Sequence, residues 1–110
     1  MRHYIVASHY QSGSSTWLRS SLKSAADLVF DLIEEETADH IALLKQEGGD
    51  LSLAQALEGK WYVEALRLYS EVTSSDEFRN RITITEVVLD SKDSGDELEP
   101  SIIDTMLDFL

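Results

Sequence analysis

Apolar positions recur with a changing period along this chain, and each change marks an element. The longest regular stretch runs from Ser24 to Glu47 (SAADLVFDLIEEETADHIALLKQE). Leu22, Ala26, Val29, Ile33, His40 or Ile41, and Leu44 come at steps of three and four, one face of an α-helix. Ser24 is the expected N-cap, Asp27 sits where a negative charge opposes the positive helix end, and Lys45 suits the other end. Gly48 and Gly49 supply the stop. Thr37 can cap a second helix, so a kink or break near Glu36–Thr37 competes with one continuous rod.

Period two appears on either side. His3–Tyr10 (HYIVASHY) reads as a strand, Gln11–Ser15 as a turn, and Thr16–Leu22 as a second strand completing a hairpin, with a helix from Thr16 as the alternative. Arg81–Leu89 (RITITEVVL) is the clearest strand, first alternating and then continuously apolar, as in a strand covered on both faces near its end. Ser52 and Gln55 match a capping box opening a helix, which Gly59 kinks or splits. In Lys60–Val72, Trp61, Ala65, Leu68 and Val72 form one helical stripe with Tyr62, Leu66 and Tyr69 beside it; Lys60, Glu64, Arg67 and Glu71 lie opposite. Trp17, Trp61, Tyr62 and Tyr69 are the expected aromatic core.

Thr73–Asp76 reads as a loop and residues 90–99 (DSKDSGDELE) as a mobile acidic one. Pro100 opens a C-terminal amphipathic helix over 100–110, striped by Ile102, Ile103, Met106, Leu107 and Leu110 and covering the sheet. The order is β–β–α–α–β–α in a single domain spanning 1–110. The implied fold is α+β: a small antiparallel sheet of about three strands, covered on one face by helices.

Composition narrows what such a fold can do. The chain has 110 residues, 43% of them apolar, enough for a core, and no cysteine, which excludes disulfides, thiolate zinc sites and thiol nucleophiles. The first fifteen residues hold too short an apolar run for a signal peptide, and no stretch is apolar enough to span a membrane, so the expected location is the cytoplasm.

Net charge is −12, and it is concentrated. Residues 1–26 contain Arg2, Arg19 and Lys23 and no acid. Residues 27–39 contain Asp27, Asp31, Glu34, Glu35, Glu36 and Asp39 and no Lys or Arg. Residues 90–110 contain Asp90, Asp93, Asp96, Glu97, Glu99, Asp104 and Asp108 against Lys92. Direct contact with nucleic acid or an anionic membrane is disfavoured, and a basic protein partner is favoured. Solubility is the plainer use of such acidity. Partner binding is expected at Asp27, Asp31, Glu34, Glu35 and Asp39, with Asp93, Asp96, Glu97, Glu99, Asp104 and Asp108 as a second element.

Catalytic and metal chemistry finds little support. Glu36 and His40 have i,i+4 spacing, but no second ligand pair accompanies them; His3 and His9 are too far apart on a strand to share a metal. A calcium loop beginning at Asp90 fails, with Lys92 at the third position and Ser101 at the twelfth. Phosphate-loop and nucleophile-elbow motifs are missing. No enzyme and no cofactor are expected.

In size and charge the chain resembles the DNA-mimic inhibitors that phages use against restriction and CRISPR systems. That resemblance implies a non-enzymatic acidic protein blocking the basic surface of a nucleic-acid-binding or nuclease complex. An immunity protein or antitoxin against a nuclease toxin predicts the same acidic face. A homodimeric regulator or scaffold, paired through the apolar face of 101–110, is the third possibility.

Overall fold

A computed structural model of the chain describes residues 2–73, 80–88 and 95–109. Its elements are β1 (Arg2–Tyr10), β2 (Gly13–Arg19), α1 (Leu22–Glu47), α2 (Ser52–Glu58), α3 (Tyr62–Val72), β3 (Arg81–Val88), β4 (Asp96–Leu98) and α4 (Pro100–Leu107). The fold is α+β, and the sheet has four strands rather than three, all antiparallel, in the order β2-β1-β3-β4.

Strand register explains where the core lies. Val6 pairs with Trp17 on one side and Ile84 on the other, and Ser8 with Ser15 and Ile82, so these side chains share one face. Tyr4, Val6, Ser8, Ile82 and Ile84 are buried there under the helices. The opposite face carries Ile5, Ala7, Thr83 and Thr85, all partly exposed, and Leu18, which is 54% exposed. Among the described residues β3 is therefore covered on one face only, and Val88 at its end is exposed; the sequence expectation of two covered faces fails because the helices that meet the sheet, α1 and α3, lie over the buried face. The Cα trace is 18 Å through its thinnest direction, room for one sheet and one helical layer.

α1 is one unbroken helix. Its N-cap is Ser21, not Ser24: the Ser21 hydroxyl accepts from the Ser24 amide at 3.1 Å. Thr37 does not break it, because its hydroxyl donates back to the Ile33 carbonyl at 2.6 Å, and the side chain is buried. Gly48 ends the helix in the left-handed conformation, φ 69°, its amide bonded to the Leu44 carbonyl. Ala25, Ala26, Val29, Phe30 and Ile33 form the buried stripe, while past Thr37 only Ile41 and Leu44 remain partly covered. The last turns therefore run beyond the main core.

The start of α2 also differs from expectation. The N-cap position falls on Leu51, which makes no side-chain cap bond, and one residue earlier Asp50 Oδ1 accepts from the Ser52 amide at 2.8 Å and from the Ser52 hydroxyl. Gly59 splits α2 from α3, and Lys60 takes the positive φ of 57°. Lys60 Nζ lies 4.9 Å from the Phe30 ring centre, and Phe30 meets Tyr62 edge-to-face at 5.7 Å. α3 buries Tyr62, Ala65 and Tyr69. Trp61 precedes the helix as its N-cap residue and is 55% exposed, so it is not core; Trp17 is only partly buried.

The acidic stretch 90–99 is not simply a loop. Residues 90–94 lie outside the described residues, as do 74–79, Leu89 and Leu110, but Asp96–Leu98 form β4 on the edge of β3. Gly95, at φ 89°, makes the join. α4 packs mainly on α1 and α3 rather than on the sheet, with Ile103 as its buried anchor.

Candidate functional site

The eleven acids singled out in the sequence fall into separate groups. Asp31, Glu34, Glu35 and Asp39 are exposed on α1, and no Lys or Arg among the described residues comes within ion-pair distance of them. Asp27 begins the same ridge but is paired with Lys23 at 3.5 Å. At a rise of about 1.5 Å per residue, the ridge repeats a carboxylate every turn. Glu36 leaves it: this carboxylate accepts a hydrogen bond from the Tyr69 hydroxyl, across the seam between α1 and α3. That contact takes Glu36 away from His40, the partner its spacing suggested.

The C-terminal acids do not extend the ridge. Asp96, Glu97 and Glu99 sit on and just after β4, the sheet edge opposite β2. Asp104 on α4 and Asp108 just after it line a cleft with Lys23, Lys60 and Asp27, so lysines share their surroundings. Asp93 is outside the described residues.

Two features were missed in the sequence. One is the seam between β2 and α1. Trp17, Leu28 and Leu32 are partly buried and pack against the core there. Shallow clefts follow this seam, one lined by Ser15, Trp17, Leu32, Glu35 and Glu36, the next by Arg19, Lys23, Asp27, Leu28 and Asp31. The i,i+4 pair Leu28 and Leu32, beside the main apolar stripe, was its sequence signal. The other is an apolar cleft of about 400 Å³ between α3, α4 and β3, lined by Tyr62, Leu66, Ile84, Leu98 and Ile103 among others.

Titration follows burial. Burial raises the Tyr62 phenol well above its ordinary value, and its hydroxyl has no hydrogen-bond partner among the described residues. Burial also raises Tyr69, reinforced by the adjoining Glu36 carboxylate. The Ser52 hydrogen bonds lower Asp50, and Arg67 beside it lowers Glu64. No group of three or more His, Asp or Glu among the described residues is arranged to hold a metal.

No family model matches the chain, and comparison with curated proteins and with solved structures gave no match either. Among the described residues, no helix is long and apolar enough to cross a membrane.

Proposed function

We propose that this chain is a non-enzymatic acidic interaction protein that occupies a basic surface of a partner protein, one that itself binds or cleaves nucleic acid. The carrying observation is the ridge of Asp31, Glu34, Glu35 and Asp39 on one continuous helix, with no ion-pair partner among the described residues. Carboxylates spaced by helical turns lie roughly 5–6 Å apart along the axis, the same order as neighbouring phosphates on a strand. A groove of Lys and Arg built for phosphates accepts such a row, and single-sign fields accelerate the encounter. In this reading the protein acts in the cytoplasm as an inhibitor of the phage type, directed at a CRISPR or restriction complex. An immunity protein against a nuclease toxin would use the same ridge.

The test is charge reversal. A tagged chain is used to capture partners from bacterial lysate, and the captured protein is assayed for nucleic-acid binding with and without the chain. D31K/E34K/E35K should fold normally and fail to capture, and capture should weaken with salt because exposed charges are screened over about 8–10 Å. Capture that survives the triple reversal at physiological salt would sink the proposal.

A second reading, self-association, is favoured by α4. Ile102 and Met106 on α4 and Phe109 just beyond its end are exposed apolar residues, Phe109 being 85% exposed. Sedimentation across a range of concentrations separates the two readings: a strict monomer removes this one.

A further inference from the structure

The two edges of the sheet are unlike. β4 closes one edge with three residues, two of them acidic, followed closely by Pro100. Short, charged strands and nearby proline are the usual protection against strand addition. β2 closes the other edge with Gly13–Arg19 (GSSTWLR), which has no Pro, Lys, Asp or Glu, and no described residue pairs with its outer side.

The register fixes which backbone groups lie open. Gln11 and Ser12 form a two-residue turn between Tyr10 and Gly13. In such a hairpin Gly13, Ser15, Trp17 and Arg19 exchange hydrogen bonds with β1, and Ser14, Thr16 and Leu18 direct their N–H and C=O groups outward. The Leu18 carbonyl is indeed met at 2.9 Å by the guanidinium of Arg19 rather than by a strand. Above this edge stands the seam of apolar Trp17, Leu28 and Leu32 with the outward carboxylates Asp31 and Glu35; Arg19 and Lys23 line its end nearest the start of α1, so the acidic part of the groove runs from Asp31 to Glu35.

We infer that β2 and the acidic flank of α1 form one docking groove, which takes an extended basic segment of the partner as a fifth, antiparallel strand. The inference rests on the basic-partner reading above and deepens it. Backbone bonds to Ser14, Thr16 and Leu18 supply affinity, and alternate side chains supply specificity. Residues directly opposite one another share a face of the sheet. Partner residues facing Thr16 and Leu18 therefore project beside the exposed Leu18 and are apolar. The residues between them project to the helix side, where Lys or Arg reaches Asp31 and Glu35. A second copy is the wrong occupant, because two-fold pairing at this edge would set one Asp31–Glu35 wall against another.

The probe is a short capped peptide of alternating Lys and Val, titrated against the intact chain by calorimetry and amide chemical shifts. Binding should move the Ser14, Thr16 and Leu18 amides. Thr16→Pro removes an outward N–H without touching the charges and should weaken binding roughly tenfold or more. D31K/E35K should do the same. N-methylation of the Val residues, whose amides face β2, should abolish binding, and N-methylation of the Lys residues should spare it; this arm leaves the protein unaltered. Binding that survives both Thr16→Pro and Val methylation overturns strand addition and leaves the basic-partner reading of α1 standing. Binding indifferent to D31K/E35K overturns that reading and this inference with it. No binding of the peptide, or a dimer of the chain that Thr16→Pro abolishes, also overturns the inference.

Discussion

Tyr69 on α3 donates its hydroxyl hydrogen to the carboxylate of Glu36 on α1, the one acid of the 27–39 run that is tied to the core rather than left to solvent. The ring of Tyr69 is fully buried and Glu36 is exposed, so the bond closes the top of the α1–α3 seam. Tyr69→Phe should destabilise the fold by about 1–2 kcal/mol, toward the lower end because the released carboxylate can turn to water. Urea unfolding at neutral pH measures it, and an unchanged midpoint would show that the bond contributes nothing.

Tyr62 should behave in the opposite sense. Its hydroxyl is buried without a partner among the described residues, so the folded state bears a desolvation cost that no described group compensates. Tyr62→Phe is expected to leave stability unchanged or raise it by up to about 1 kcal/mol at pH 7. Loss of more than that would mean that the hydroxyl has a partner.

Both phenols also set a pH window. Each has its folded value raised above the ordinary 10.0, so each contribution is complete below that value and is lost as pH rises through the folded one. Above pH 10 the unfolded chain releases these protons first. Stability should therefore fall, by as much as about 1.4 kcal/mol per pH unit for each tyrosine. Urea midpoints between pH 8 and pH 11.5 should bend downward near 10, and Y62F should flatten the slope. A slope identical in Y62F would contradict the burial argument.

Much of the fold was legible because period and burial agreed. The hairpin, the long helix, α3 and β3 all follow from repeats of two or of three and four. Elsewhere the information was tertiary. Thr37 reads as a cap until its hydroxyl is seen bonded within the helix, and Trp61 fits the α3 stripe until the helix is seen to begin one residue later. β4 has two carboxylates in three residues and is a strand only because β3 offers it a backbone ladder. The acidic residues were legible as a group but not their division, since α1, β4 and α4 carry them to different parts of the surface.

Gly95 is where that ladder depends on one residue type. Its φ of 89° suits glycine, and a Cβ built there would lie 2.5 Å from Val87 Cγ1 and 2.8 Å from the Glu86 carbonyl oxygen. Gly95→Ala should cost about 1–3 kcal/mol. The loss should be local: β4 amides should exchange faster with solvent while those of β1 stay protected. Uniform loss of protection would mean that β4 is part of the global folding unit.

The ridge on α1 makes a prediction in which stability and function have opposite signs. Asp27 and Asp31, Asp31 and Glu35, and Glu35 and Asp39 stand at i,i+4, and Asp31 and Glu34 at i,i+3, all exposed on one helix. Like charges at these spacings destabilise a helix by about 0.2–0.5 kcal/mol per pair. Neutralising the centre with D31N/E34Q/E35Q should therefore stabilise the fold, raise the thermal midpoint and reduce its dependence on salt. A surface serving only solubility would leave binding indifferent to that change. A surface that meets a basic partner would lose affinity as the fold gains stability. Thermal melts at low and high salt, run beside partner capture with the same variant, read both quantities. A stabilised variant that still binds assigns the ridge to solvation, and a variant that is both less stable and non-binding would mean that the carboxylates hold the helix in a way the ion-pair geometry does not contain.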